Sequence, residues 1–237
     1  MANTFRVESY RSAKGLSYFV IGLLLLQIGC LVISICFGFG LLLFPDRVLE
    51  LDDGDSMPIF FMLIGLITIP EILFRITGIV VFLIWEHRSF GNLSPLKARN
   101  LEFSPGWAVG WWFIPFANLV KPYQVMKELW SESDPDFDPE MGFLSSSVGV
   151  PSLFGFWWAL WIITNISGRI VDRIADGKMA TIITIFPVLF IASQIAGIMA
   201  AGLLIWIVRD IVRRQEERYR RLGPQNPFGQ PQYPQNF

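Results

Sequence analysis

One histidine and two cysteines stand among 237 residues, and only 16% of the side chains carry charge. A lone histidine cannot supply a histidine pair for zinc, and His87 has no Cys or His at ligand spacing, so no metal site is expected. A Ser-His-Asp site would have to use His87, and no serine stands in a nucleophile elbow. Gly38-Phe-Gly40 lacks the third glycine and the strand of a dinucleotide loop, and the triplet Asn165-Ile-Ser167 is assigned no role. Two cysteines make no disulfide scaffold; Cys30 and Cys36, six apart and on different faces of a helix, read as small hydrophobes. With 19 basic and 20 acidic side chains the net charge is −1, which gives no bulk attraction to nucleic acid. No catalytic residue and no cofactor are expected, and the chain reads as a non-enzyme that binds no nucleic acid.

What is abundant is apolar. Hydrophobic residues make up 53% of the chain and aromatics 15%, with a mean hydropathy of +0.48. Soluble domains carry about 25% charged residues, so this chain could not coat a soluble globule. Uncharged runs cover 15–45, 103–120, 141–168 and 179–208, and between Asp55 and Glu86 only Glu71 and Arg75 interrupt. A helix needs about 20 apolar residues to cross a bilayer, and lipid satisfies no backbone group, so these runs are expected as helices. The first is too long for a signal-peptide core and has no cleavage site, so it reads as a retained span.

The spacing predicts an all-α integral membrane protein. A basic N-terminus (1–15) precedes a membrane domain (16–208) with spans near 16–44, 57–85, 150–168 and 179–208. A basic juxtamembrane helix (209–222) and a disordered Pro/Gln-rich tail (223–237) follow. The run Phe103–Val120 is the marginal one. Trp107, Trp111 and Trp112 suit the headgroup level, and Pro115 opposes a straight helix. Downstream, Val125, Met126, Leu129 and Trp130 recur at helical spacing opposite Gln124, Lys127 and Glu128. Residues 104–131 are therefore expected as a broken, interfacial or re-entrant element, with five transmembrane helices as the alternative.

Basic residues decide between the two, since they stay cytoplasmic. Five crossings give a tie, 9 (3+3+3) against 9 (1+2+6); four crossings give 14 inside (3+3+2+6) against 4 outside (1+3). Both termini are thus expected in the cytoplasm, although Arg169, Arg173 and Lys178 in the last loop count against it.

Two stretches, Phe103-Ser-Pro-Gly-Trp-Ala-Val-Gly-Trp-Trp-Phe-Ile-Pro-Phe-Ala-Asn-Leu-Val-Lys-Pro-Tyr-Gln and Trp157-Trp-Ala-Leu-Trp-Ile-Ile-Thr-Asn-Ile-Ser-Gly-Arg, resemble a bacterial membrane family, the domain of unknown function numbered forty-three twenty-eight. The resemblance covers roughly Leu16–Val208 and includes Asn118 in its Trp/Pro block. It implies a bacterial cytoplasmic-membrane location and carries over no catalytic residue, cofactor or substrate.

Glu71 and Arg75 are the sharpest candidates. Four apart on a helix, they share a face within a span, and Pro70 frees a carbonyl beside them. They read either as a structural ion pair, with Asn118, Asn165 or Gln194 as candidate neighbours, or as the lining of an ion path. Ser193, Gly197 and Ala201 recur every four residues as a helix-packing face. Arg209, Arg213, Arg214, Arg218 and Arg221 are expected to contact anionic lipid. The acidic stretch Asp134–Glu140 lacks the glycine of a calcium loop and reads as a linker. The leading function is a scaffold or accessory subunit contacting other membrane subunits and lipid. The alternative is a small channel or transporter using Glu71, although no inverted repeat supports it.

Overall fold

A computed structural model describes residues 9–44, 57–98, 101–136, 149–175 and 179–222. The first residues, the acidic first loop, most of 134–140 and the tail 223–237 lie outside the described residues. Among the described residues six α-helices follow in order: α1 (Lys14–Leu43), α2 (Met57–Gly91), α3 (Pro105–Gly110), α4 (Lys121–Glu132), α5 (Leu153–Ala175) and α6 (Met179–Leu222). Two 3-10 turns, Trp111–Phe113 and Ala117–Leu119, lie between α3 and α4, and the described residues form no strand.

Among the described residues three helices are long and apolar enough to cross a membrane: Lys14–Gly40 of α1, Gly65–Gly91 of α2 and Pro187–Leu222 of α6. A further apolar stretch, Leu153–Ile166 of α5, lies within the span expected at 150–168. Between Phe103 and Glu132 no helix exceeds 12 residues. The sequence explains the break locally. Ser104 caps α3 by accepting from the Trp107 N–H, Pro105 starts it, and Pro115 leads into Phe116, whose φ of 64° is left-handed and costly for an aromatic residue. The chain then reverses and re-enters as α4, with Pro122 in its first turn.

One boundary differs from the expectation. The juxtamembrane segment 209–222 is not a separate helix: α6 runs unbroken for 44 residues. At 1.5 Å per residue it is about 66 Å long, roughly twice a bilayer core.

The packing is antiparallel about α1. Leu31 lies beneath Gly197, and Ile191 with Phe190 lies against Gly38, which sets the register with α6. Leu23 approaches Gly78, and Ser34 meets Glu71, which sets the register with α2. The seam on α1 is a repeat of threes and fours, with Ser17, Val20, Gln27, Leu31, Ser34 and Gly38 all buried. Such spacing keeps one stripe facing its neighbours along the whole helix. The main apolar core gathers instead at one end of the bundle. It draws on Trp85, Phe90 and Leu93 of α2 and its flank, Val125, Met126, Leu129 and Trp130 of α4, Phe154 and Trp157 of α5, and Ile207, Val208 and Ile211 of α6.

Replacing Gly38 with valine should lower thermal stability in detergent by about 1–3 kcal/mol, because an ideal Cβ there lies 2.9 Å from Ile191 Cγ1. Gly40→Ala, with open space beside it, should change stability by no more than about 0.5 kcal/mol.

Candidate functional site

Glu71 and Arg75 form the expected pair. Arg75 Nη2 donates to Glu71 Oε1 at 3.0 Å, and Ser34 Oγ of α1 donates to the other carboxylate oxygen at 3.4 Å. Across the helix interface the carboxylate meets Ser34, while Asn165 turns back to its own helix, donating to the Trp161 carbonyl. The two charges are unequally placed. Glu71 is 14% exposed, whereas Arg75 is 59% exposed among Ile72, Leu73, Ile76 and Ile79, which also face outward. Counted from His87, Arg75 lies roughly 18 Å along the helix and Glu71 roughly 24 Å.

A second constellation is built by the Trp-rich hairpin. Trp112 Nε1 donates to Glu86 Oε2 at 2.8 Å, fastening the hairpin to α2, and Trp158 Nε1 donates to the Leu119 carbonyl at 2.9 Å, fastening it to α5. The Trp112 ring stands edge-on to Phe82, Trp158 and Trp161, with centroids 5.5–5.9 Å apart. Glu86 is fully buried, and its other oxygen has no partner among the described residues. Trp107 stacks obliquely on Trp111, and Lys121 sits over the Trp111 and Phe103 rings while pairing with Glu102. Asn118 closes the turn through its backbone, its N–H donating to the Ile114 carbonyl. Pro115 heads that turn, and the tip residues Phe113 and Phe116 point outward, Phe116 being 86% exposed.

The third constellation was not foreseen. At the core end, Gln215 of α6 donates to the Ser89 carbonyl (2.8 Å) and to Ser133 Oγ (3.1 Å) and accepts from Asn92 (3.4 Å). Asn92 in turn exchanges two hydrogen bonds with the backbone of Arg11. One buried amide pair therefore joins the flank of α1, the end of α2, the end of α4 and α6. Tyr10 stacks on Tyr219 and donates to Glu216, and burial beside that carboxylate pushes its phenol pKa up.

The arginines follow from this. Arg218, 2% exposed, donates to the Glu132 and Asp134 carbonyls that α4 leaves unpaired at its C-terminus. Burial raises the Glu132 carboxyl above its usual range, with Arg218 opposing it. Arg214 lies 3.7 Å over the Trp130 ring and pairs with Asp210, which also accepts from Trp130 Nε1 at 2.7 Å. Both the Arg214 and the Arg218 guanidinium groups are engaged within the protein. Arg209 and Arg213 are exposed, and Arg221 pairs with Glu217 and Asp136. A groove of about 570 Å³ lies between Asp134, Asp136, Glu217 and the arginines at 213, 214, 220 and 221.

The packing face is internal. Gly197 lies against Leu31 and Ala201 is buried, while Ser193 turns its hydroxyl to the Phe190 carbonyl. Gln27, buried in the α1 seam, has both amide atoms without partners among the described residues. Its polar company, Ser17 and Ser34, was legible as a repeat of threes and fours. Among the described residues no group of three or more His, Cys, Asp or Glu could hold a metal ion.

A family model, Domain of unknown function (DUF4328), matches residues 53–213. The match begins ahead of α2, not at Leu16, and so leaves out α1 together with Arg214, Arg218 and Arg221. Neither the curated proteins nor the solved structures gave a match.

Trp112→Phe keeps an aromatic side chain but removes the indole hydrogen bond to buried Glu86, and should cost about 1–3 kcal/mol of stability in detergent. Adding Glu86→Leu should recover most of that loss, because no buried polar atom is then stranded; a double variant as unstable as Trp112→Phe would show that the carboxylate is not the cause.

Proposed function

This chain belongs to the DUF4328 family, and from that premise we propose that it is a non-enzymatic integral membrane protein acting as a scaffold or accessory subunit of a larger membrane complex. The observation that carries the reading is Arg75, 59% exposed on the outward face of α2. Hydrocarbon offers a guanidinium no acceptor, and charges within spans face protein or water. A neighbouring protein on α2 supplies that environment.

The protein crosses the bacterial inner membrane four times, through α1, α2, α5 and α6, with both termini in the cytoplasm. The Trp-rich hairpin enters and leaves on that same side. Support comes from the 14-to-4 basic count and from the contacts of Tyr10 with Glu216 and Tyr219, which put both flanks at one end of the bundle. Arg209 and Arg213, closest to the last apolar turn of α6, are the residues that meet anionic headgroups.

A second reading, a small channel or transporter, is favoured by the polar stripe Ser17, Gln27 and Ser34 that leads along α1 to Glu71. It lacks a chain of further carboxylates.

Cysteines introduced at Ser12 and Gln225 should both resist a membrane-impermeant maleimide in intact cells and react after lysis. Labelling of Gln225 alone from outside would require an odd number of crossings. In mild detergent, native mass spectrometry should find the chain in a particle heavier than one copy. A monomeric particle that carries an ion flux in liposomes, lost in Glu71→Gln, would replace the scaffold with the transporter.

A further inference from the structure

We infer that the neighbour on α2 is a second copy of this chain, docked about a two-fold axis along the membrane normal, with each Arg75 bridging its own Glu71 and the partner's Glu71. The inference rests on the accessory-subunit reading and names the partner at the same site.

Electrostatics selects this occupant. Glu71 already neutralises Arg75, so the patch has no net charge. A different partner bringing one more carboxylate would leave two acids on one base, a net charge in a medium of low dielectric. A second copy brings its own equal and opposite pair, and the four charges sum to zero. Lipid phosphate is too far. Arg75 lies roughly 27 Å along the helix from Met57 and roughly 18 Å from His87, further than an arginine side chain extends.

Symmetry then supplies the geometry. Both copies insert with one orientation, so only an axis along the membrane normal relates them, and that operation keeps every residue at its own depth. Arg75 of one copy is therefore about 6 Å along the axis from the level of the partner's Glu71, the rise of four helical residues. The surface around it is free to pair. Ile69, Ile72, Leu73, Ile76, Ile79 and Val80 face outward at helical spacing, and the most apolar stretch of α2 is only 6% buried, against 17% for α1 and 22% for α6. The face recurs at i, i+3, i+4 and i+7, the pattern by which one helix lies along another.

The test uses the full chain in bacterial membranes, with Cys30 and Cys36 replaced by alanine and one cysteine introduced at a time. Under mild oxidation Ile72→Cys and Ile79→Cys should give a covalent dimer. Ile33→Cys, which faces outward on α1 at the depth of Glu71, should give at least tenfold less. Glu71→Gln with Arg75→Gln strands no charge and so should keep the fold, yet it should cut the Ile72→Cys dimer at least tenfold. Equal cross-linking at Ile33, or cross-linking untouched by the neutral double variant, overturns the two-fold Arg75–Glu71 contact. If no copy cross-links to another while native mass finds a different protein bound, the second copy is wrong and the accessory reading stands. A lone monomer overturns both.

Discussion

An apolar side chain gains nothing by leaving lipid for the interior of a helical bundle, so burial alone cannot hold this protein together within the bilayer. Its architecture follows from that constraint. The spans meet through close approach, Gly197 under Leu31 and Gly38 under Ile191, and through sparse polar contacts such as Ser34 with Glu71. Where the helices emerge toward water, burial is rewarded again, at roughly 1.5–3 kcal/mol for a large side chain. The buried tryptophans and phenylalanines and most of the buried leucines collect at one end of the bundle.

A polar group that enters the core at that end is costly unless it is paired. Gln215 and Asn92 meet this condition almost completely, spending their amides on Ser89, Ser133, Arg11 and each other. Arg218 does the same for the open carbonyls of α4. The hairpin is fastened on its other flank by indole N–H groups to Glu86 and Leu119. Each tryptophan contributes a large apolar body and one directed donor, which is why a segment of short helices and 3-10 turns keeps a fixed position.

Length and charge made the long apolar helices α1, α2 and α6 readable, and Pro115 made the broken hairpin readable. Backbone and periodicity are local, and so are their signals. The arginines of α6 were legible as a basic helix but not as a clamp, because their acceptors on α4 lie more than 80 residues earlier and two of them are backbone carbonyls with no residue signature. Gly38 gave no sign either: a single glycine in an apolar run means nothing until the register places Ile191 over it. Glu71 with Arg75 was visible as a pair, yet the outward turn of Arg75 depends on how α1 lies against α2.

The contacts that close the base have an order in time. Residues 215–219, on the last turns of α6, engage Tyr10, Ser12, Ser89, Asn92 and Glu132, up to 206 positions earlier. Helices α1 to α5 are therefore synthesised with this end of the bundle still open. During elongation the half-built base leaves its tryptophans and polar side chains uncovered, the kind of surface that invites wrong contacts.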